Sequence, residues 1–170
     1  MFCPKWGQFV RERWCLFYEK WKTILSEEQL TKAKTIVDQF DEIQEQLSIN
    51  NLTLCHGDVK SANMFFKKNL HDEYYEPWFI DWQYIAHGKG VQDLVFFMIE
   101  SFTMNTMKQW KNLLKEYYYV KIISKGIDYS RESYENDFKN AAYYFPFFVA
   151  MWFGTINEDE LIDKNFPYFF

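Results

Sequence analysis

Apolar positions along the chain recur first at helical spacing. Between Lys5 and Ile24, the residues Trp6, Phe9, Val10, Trp14, Phe17, Trp21 and Ile24 advance mostly by threes and fours. That period gathers them on one face of an amphipathic helix with an aromatic stripe. Such a face suits packing on a core better than stacking on a nucleotide. Ser26 to Gln29 has the spacing of a capping box, in which the two side chains bond each other's backbone N–H groups. The helix that follows carries Leu30, Ala33, Ile36, Val37, Phe40, Ile43 and Leu47 on one face and charge on the other. It ends near Asn50 and Asn51.

The period then shortens. Leu52–Cys55 reads as a short strand, and Met64–Lys67 with Trp78–Ile80 as a hairpin. Polar Asn69–Glu76 between them predicts a surface loop, with His71 exposed. Ala86–Gly90 reads as a glycine-containing loop. It lacks the spacing of a P-loop, and Lys89 within it is open to two readings, facing the acceptor or phosphates, or solvated. Val91–Phe102 predicts an apolar helix buried on several sides. Asn105 or Thr106 would cap the next helix, with Trp110, Leu113, Leu114, Tyr117 and Tyr118 inward and Gly126 as its stop. Ser130 opens another helix toward Phe145, and Pro146 kinks or breaks it. Apolar Ala141–Ile156 forms core or a docking surface; at roughly 16 residues it is shorter than the ~20 that span a bilayer. The whole predicts a single domain over residues 1–170, α+β and mostly helical, with residues 52–104 at its centre.

Composition narrows the classes. The 170 residues are 48% hydrophobic and 22% aromatic, enough for a packed core and against disorder. A net charge of −5 argues against nucleic acid and anionic membranes as partners, since both recruit basic surfaces. Cys3, Cys15 and Cys55 form no CxxC pair and read as reduced thiols, which places the chain in the cytoplasm. Met1–Val10 has no apolar run long enough for a signal peptide. Cysteines and histidines do not reach zinc spacing. Cys55 beside His56 lacks a third orienting group, so a thiol nucleophile is not expected.

The chemistry concentrates between Leu54 and Gln83. Asp58 and Asn63 bracket a short loop, and Asp81 ends the following strand-like run. Oxygen donors in this arrangement suit Mg²⁺, which takes one or two carboxylates plus substrate phosphates. Asp58-Val-Lys-Ser-Ala-Asn63 has the D-x-x-x-x-N spacing of a phosphoryl-transfer loop. An Asp at its start can accept a hydroxyl proton, and an Asn at its end can bind metal without adding charge. Lys60 lies where an ammonium can approach the transferred phosphoryl and the nucleotide. Gly57 lets the backbone turn where a side chain would crowd it.

His56-Gly-Asp-Val-Lys-Ser-Ala-Asn63, then Ile80-Asp-Trp-Gln83, then Asp93-Leu94 resembles the aminoglycoside phosphotransferase and choline-kinase-like superfamily. Within it, the resemblance is to the branch that includes the ecdysteroid-kinase-like proteins. It implies a protein-kinase-like C-lobe with a short β-hairpin carrying the catalytic and metal-binding loops. It further implies Asp58 as base, Asn63 and Asp81 as Mg²⁺ ligands, Asp93 bonded to the loop backbone and His56 bracing the loop. ATP and Mg²⁺ are the cofactors implied, and a hydroxyl on a small molecule the acceptor.

The resemblance covers that lobe alone. Before His56 the sequence reads as two helices with one glycine, Gly7, so the N-lobe with its strand lysine is expected to be absent. A separate N-lobe chain or an oligomer would then complete an enzyme. Two alternatives follow: a pseudoenzyme or non-catalytic binding module, and a metal-dependent phosphohydrolase using Asp58 and Asp81.

Overall fold

The structure, a computed structural model, describes residues 6–67 and 76–156. The chain divides into two compact units, residues 1–43 with 147–170, and residues 44–146. The loop containing His71, most of Asn69–Glu76, and Cys3 lie outside the described residues.

The first unit is helical. Its helices are α1 (Trp6–Trp21), most of α2 (Glu27–Leu47) and most of α6 (Phe145–Thr155). The capping box forms as its spacing predicts: Ser26 N–H donates to Gln29 Oε1 at 2.9 Å, and Gln29 N–H to Ser26 Oγ at 3.2 Å. Val10, Phe17, Leu30, Ala33, Ile36, Val37, Phe40 and Ile43 are buried. The aromatic stripe of α1 packs on α6, with the Phe148 ring 4.2 Å from Trp6 and 5.1 Å from Phe9 between centroids. Trp21 Nε1–H donates to the Gly154 carbonyl at 2.8 Å. Ile24 does not join this face. The helix ends at Trp21, and Ile24 lies beyond it with 70% of its surface exposed.

The second unit carries the strands. Left-handed Asn50 and Asn51, at φ 55° and 46°, end the run after α2 and turn the chain into β1 (Thr53–Cys55). The hairpin is β2 (Met64–Lys67) with β3 (Glu76–Phe79), antiparallel, pairing Met64 with Phe79 and Phe65 with Trp78. Its second strand therefore begins two residues earlier than the apolar run suggests, because Glu76 and Pro77 pair with Lys67 and Phe66.

Residues 86–88 are not loop. They form β4 (Ala86–Gly88), antiparallel to β1, with Cys55 opposite Ala86 and Thr53 opposite Gly88. Backbone pairing outweighs the local glycine signal here. Lys89 follows directly and is neither solvated nor turned to a phosphate site. It is 6% exposed, and its Nζ donates to Asp137 Oδ2 at 2.6 Å. Tyr129 OH donates to the same oxygen at 2.5 Å. A buried ammonium needs such a partner, and Asp137, on another helix of the same unit, gives no sign of that in sequence.

Three helices complete the unit: α3 (Gly90–Ser101), α4 (Met104–Ser124) and α5 (Arg131–Tyr143). Val91, Val95 and Met98 of α3 form a core with Tyr129, Tyr134 and Ala141. The cap of α4 is Thr103, whose Oγ1 accepts from Thr106 N–H at 3.2 Å, rather than Asn105 or Thr106. Leu114 and Tyr118 pack on the core, but Trp110, Leu113 and Tyr117 are 47%, 58% and 59% exposed. The apolar residues of α4 thus occupy two faces, and only one is covered within the unit. Gly126 follows the helix at φ +78°, the left-handed position that favours glycine after a helix end. Ser130 caps α5, and a new helix, α6, starts one residue before Pro146. Among the described residues no helix is long and apolar enough to cross a membrane.

The buried Lys89–Asp137 pair gives a stability test. Lys89→Met or Asp137→Asn alone leaves its partner without a counterion and should cost about 3 kcal/mol. The double variant Lys89→Met, Asp137→Leu should recover a large part of that. Urea unfolding of the three variants measures both.

Candidate functional site

The loop from His56 to Asn63 leaves β1 and enters β2, so a strand fixes it at each end. Its first turn depends on Gly57, at φ +83°. A Cβ there would lie 2.3 Å from the carbonyl oxygen of Tyr84, so the position excludes every side chain. Asp93, in the first turn of α3, holds the same turn from the other side. Its Oδ2 accepts from His56 N–H at 2.7 Å, and its Oδ1 from Gly57 N–H at 2.9 Å.

His56 then joins the loop to the segment carrying Asp81. Its Nδ1 accepts from Asp58 N–H at 3.2 Å, which assigns the ring proton to Nε2. That nitrogen donates to the Ile80 carbonyl at 2.8 Å. The Trp82 ring lies 4.4 Å from the imidazole, centroid to centroid. His56 is 4% exposed, so water does not compete for these bonds. A backbone bond adds a second tie, from Ile80 N–H to the Asn63 carbonyl at 3.1 Å.

Asp58 is 5% exposed. Its Oδ2 accepts from Lys60 Nζ and from Asn63 Nδ2, each at 3.0 Å. Asn63 Nδ2 also donates to the Asp58 backbone carbonyl at 3.0 Å. The amide nitrogen of Asn63 is thereby committed to Asp58, and the side-chain atom with metal-ligating chemistry is Oδ1. Asp81 sits in the left-handed region at φ +63° and is exposed. Its Oδ2 accepts from Gln83 Nε2 at 3.3 Å. The Asn63 amide oxygen and the Asp81 carboxylate each have the chemistry to ligate a cation that takes its remaining ligands from substrate and water. Among the described residues, no group of three or more His, Cys, Asp or Glu side chains forms a closed metal cage.

The structure thus brings His56, Gly57, Asp58, Lys60, Asn63 and Asp93 into one hydrogen-bonded group and links Asp81 to it through Ile80. Cys55 takes a different course. Burial pushes its thiol up to about 12, with the Asp93 carboxylate adding to the shift, which leaves little thiolate for nucleophilic chemistry. The Tyr118 hydroxyl is raised to about 12, first by burial and then by Cys55 and Asp93. Sequence gives no sign of the Ile80 and Tyr84 carbonyls, because any residue supplies a carbonyl.

Phe65, Phe66, Trp78, Trp82 and Tyr84 are each 44% exposed or more, on the β2–β3 ribbon or in the segment after Asp81. Strands this few are marginally stable by themselves.

A model of the ecdysteroid kinase-like family matches residues 4–122. No curated protein and no solved structure matches the chain.

The Asp93 bonds can be tested directly. Asp93→Ala strands two loop N–H groups and should lower stability by roughly 2 kcal/mol. In ¹H–¹⁵N spectra the largest changes should fall on His56 and Gly57. An unchanged melting temperature with unchanged His56 and Gly57 resonances would remove Asp93 from this role.

Proposed function

The chain belongs to the ecdysteroid kinase-like family, and from that premise we propose that its site transfers the γ-phosphoryl group of ATP to a hydroxyl of a small molecule. One observation carries the reading. The buried Asp58 carboxylate receives Lys60 and Asn63 on a single oxygen, in a loop held at its turn by Asp93.

With Oδ2 engaged by two donors, Oδ1 of Asp58 is the oxygen offered to an incoming hydroxyl. As the acceptor oxygen bonds to the γ-phosphorus, its proton passes to Asp58, and the bond from the γ-phosphorus to the bridging oxygen breaks to release ADP. Asn63 Oδ1 and the Asp81 carboxylate would hold Mg²⁺, which neutralises charge on the phosphates when bound. Lys60 is one-third exposed at its side chain and can swing from Asp58 to the transferred phosphoryl. His56 keeps the Asp81 segment in register with the loop through the Ile80 carbonyl. Positioning and electrostatics are what this reaction takes from a protein.

A complete site also takes a lysine and a glycine-containing loop over the phosphates. Residues 6–55 fold as two helices and a short strand, with no lysine on that strand. A lobe outside this sequence, whether a further part of the same protein, a second chain or an oligomer, fits this need. The exposed apolar residues of the β2–β3 ribbon and of the segment after Asp81 give such a lobe apolar area to bury.

Calorimetric titration with ATP and Mg²⁺ tests the reading. Saturable binding should require Mg²⁺ and weaken at least about tenfold in Asp81→Asn, whose side chain has lost its charge. Asp58→Asn should retain binding and, with an acceptor present, lower turnover by roughly 10²–10⁴. Equal binding by the wild type and Asp81→Asn would overturn the assignment. Phosphate-ester turnover without any acceptor would point to hydrolysis instead.

A further inference from the structure

The loop is held by α3 at a second point. Ser101, the last residue of α3, accepts at its Oγ from the backbone N–H of Ser61 at 2.8 Å. Ser61 opens the short 3-10 turn, Ser61–Asn63, that delivers Asn63. The first N–H groups of such a turn have no partner within it and need one from outside. Lys60 stands at the N-cap position, but its ammonium is a donor with no acceptor for the turn's N–H groups, and it bonds Asp58. Ser101 supplies the missing acceptor from a different element.

We infer that Ser101 is a positioning residue of the site: it caps the turn that presents Asn63 and so sets where the amide oxygen of Asn63 lies. The helix works as a ruler. Asp93 in its first turn fixes His56 and Gly57, the start of the loop, and Ser101 in its last turn fixes Ser61. The two anchors are eight residues apart, which at ~1.5 Å per residue is about 12 Å along one rigid helix. Between them the backbone of Asp58 is carried with no anchor on α3, and Asp58 instead takes its bonds from His56, Lys60 and Asn63. Loss of the Ser61 cap therefore loosens the turn that presents Asn63, which keeps its bonds to Asp58 and Ile80, and leaves the half that carries Gly57 in place. The inference rests on the phosphotransferase reading only for its consequence, metal-nucleotide affinity. The cap itself is independent of it.

Ser101→Ala removes the acceptor, and Ser101→Thr keeps a hydroxyl at the same position. Amide exchange followed by NMR in the full chain reads the cap directly. In Ser101→Ala, exchange at Ser61 should quicken about fivefold, and the side-chain NH₂ signals of Asn63 should shift. Exchange at His56 and Gly57 should stay unchanged, and Ser101→Thr should restore Ser61. A merely structural role for Ser101 would instead quicken exchange throughout α3 and fail to separate the two ends of the loop. Titration then reads the consequence. Ser101→Ala should weaken Mg²⁺-dependent ATP binding about fivefold, and Ser101→Thr should restore it. Unaltered Ser61 exchange in Ser101→Ala overturns the inference. So does altered Ser61 exchange with Mg²⁺-dependent ATP affinity unchanged. If wild type binds no ATP with Mg²⁺ at all, the phosphotransferase reading fails, and the exchange measurement still decides the cap.

Discussion

Everything at the site depends on two backbone N–H groups that a strand can no longer satisfy. At His56 and Gly57 the chain leaves β1, and its ladder of pairing with β4 stops at Cys55. Both N–H groups then point to the Asp93 carboxylate at 2.7 and 2.9 Å. Hydrogen bonds to an ionised acceptor are the stronger kind, and here they carry a turn that no side chain other than glycine's hydrogen can enter. The geometry of His56, Asp58 and Asn63 follows from that turn, because each is bonded to another member of the same loop.

The loop has a rigid support, which explains why α3 is the most apolar part of the second unit's core. Val91, Val95 and Met98 are each at most 2% exposed. Lys89, immediately before the helix, is sealed by Asp137 of α5 and by the hydroxyl of Tyr129 behind it. The ion pair thus fixes the start of α3, four residues before Asp93. A shift there would move the carboxylate that sets the loop. Packing energy in the core and hydrogen-bond geometry at the site are in this sense the same constraint.

Much of this was legible in the sequence. The apolar period of three and four located α2 residue by residue, since Leu30, Ala33, Ile36, Val37, Phe40, Ile43 and Leu47 are all buried. The D-x-x-x-x-N spacing and the aspartate after Ile80 located the groups that the structure draws together. Failures have physical reasons. Ala86–Gly88 reads as loop because glycine is a local signal, whereas strand pairing with Thr53–Cys55 is not local. Lys89 reads as facing the acceptor or phosphates, or as solvated, because its partner lies 48 positions away. On α4, Trp110, Leu113 and Tyr117 are apolar yet exposed, and periodicity alone does not tell a covered face from an open one. Contacts made by backbone carbonyls, such as that of Ile80, leave no trace in residue type.

Under the proposed function, Asn63 and Asp81 would together hold a nucleotide-dependent metal ion. Mn²⁺, a paramagnetic substitute with the same preference for oxygen donors, reports its own position through the resonances it broadens. Titrated at trace levels into the isotope-labelled chain with ATP present, it should broaden first the side-chain NH₂ of Asn63 and the backbone amides of Asp81 and Trp82. Without ATP that broadening should be much weaker. Broadening spread over the acidic surface, or the same with and without ATP, would contradict the account.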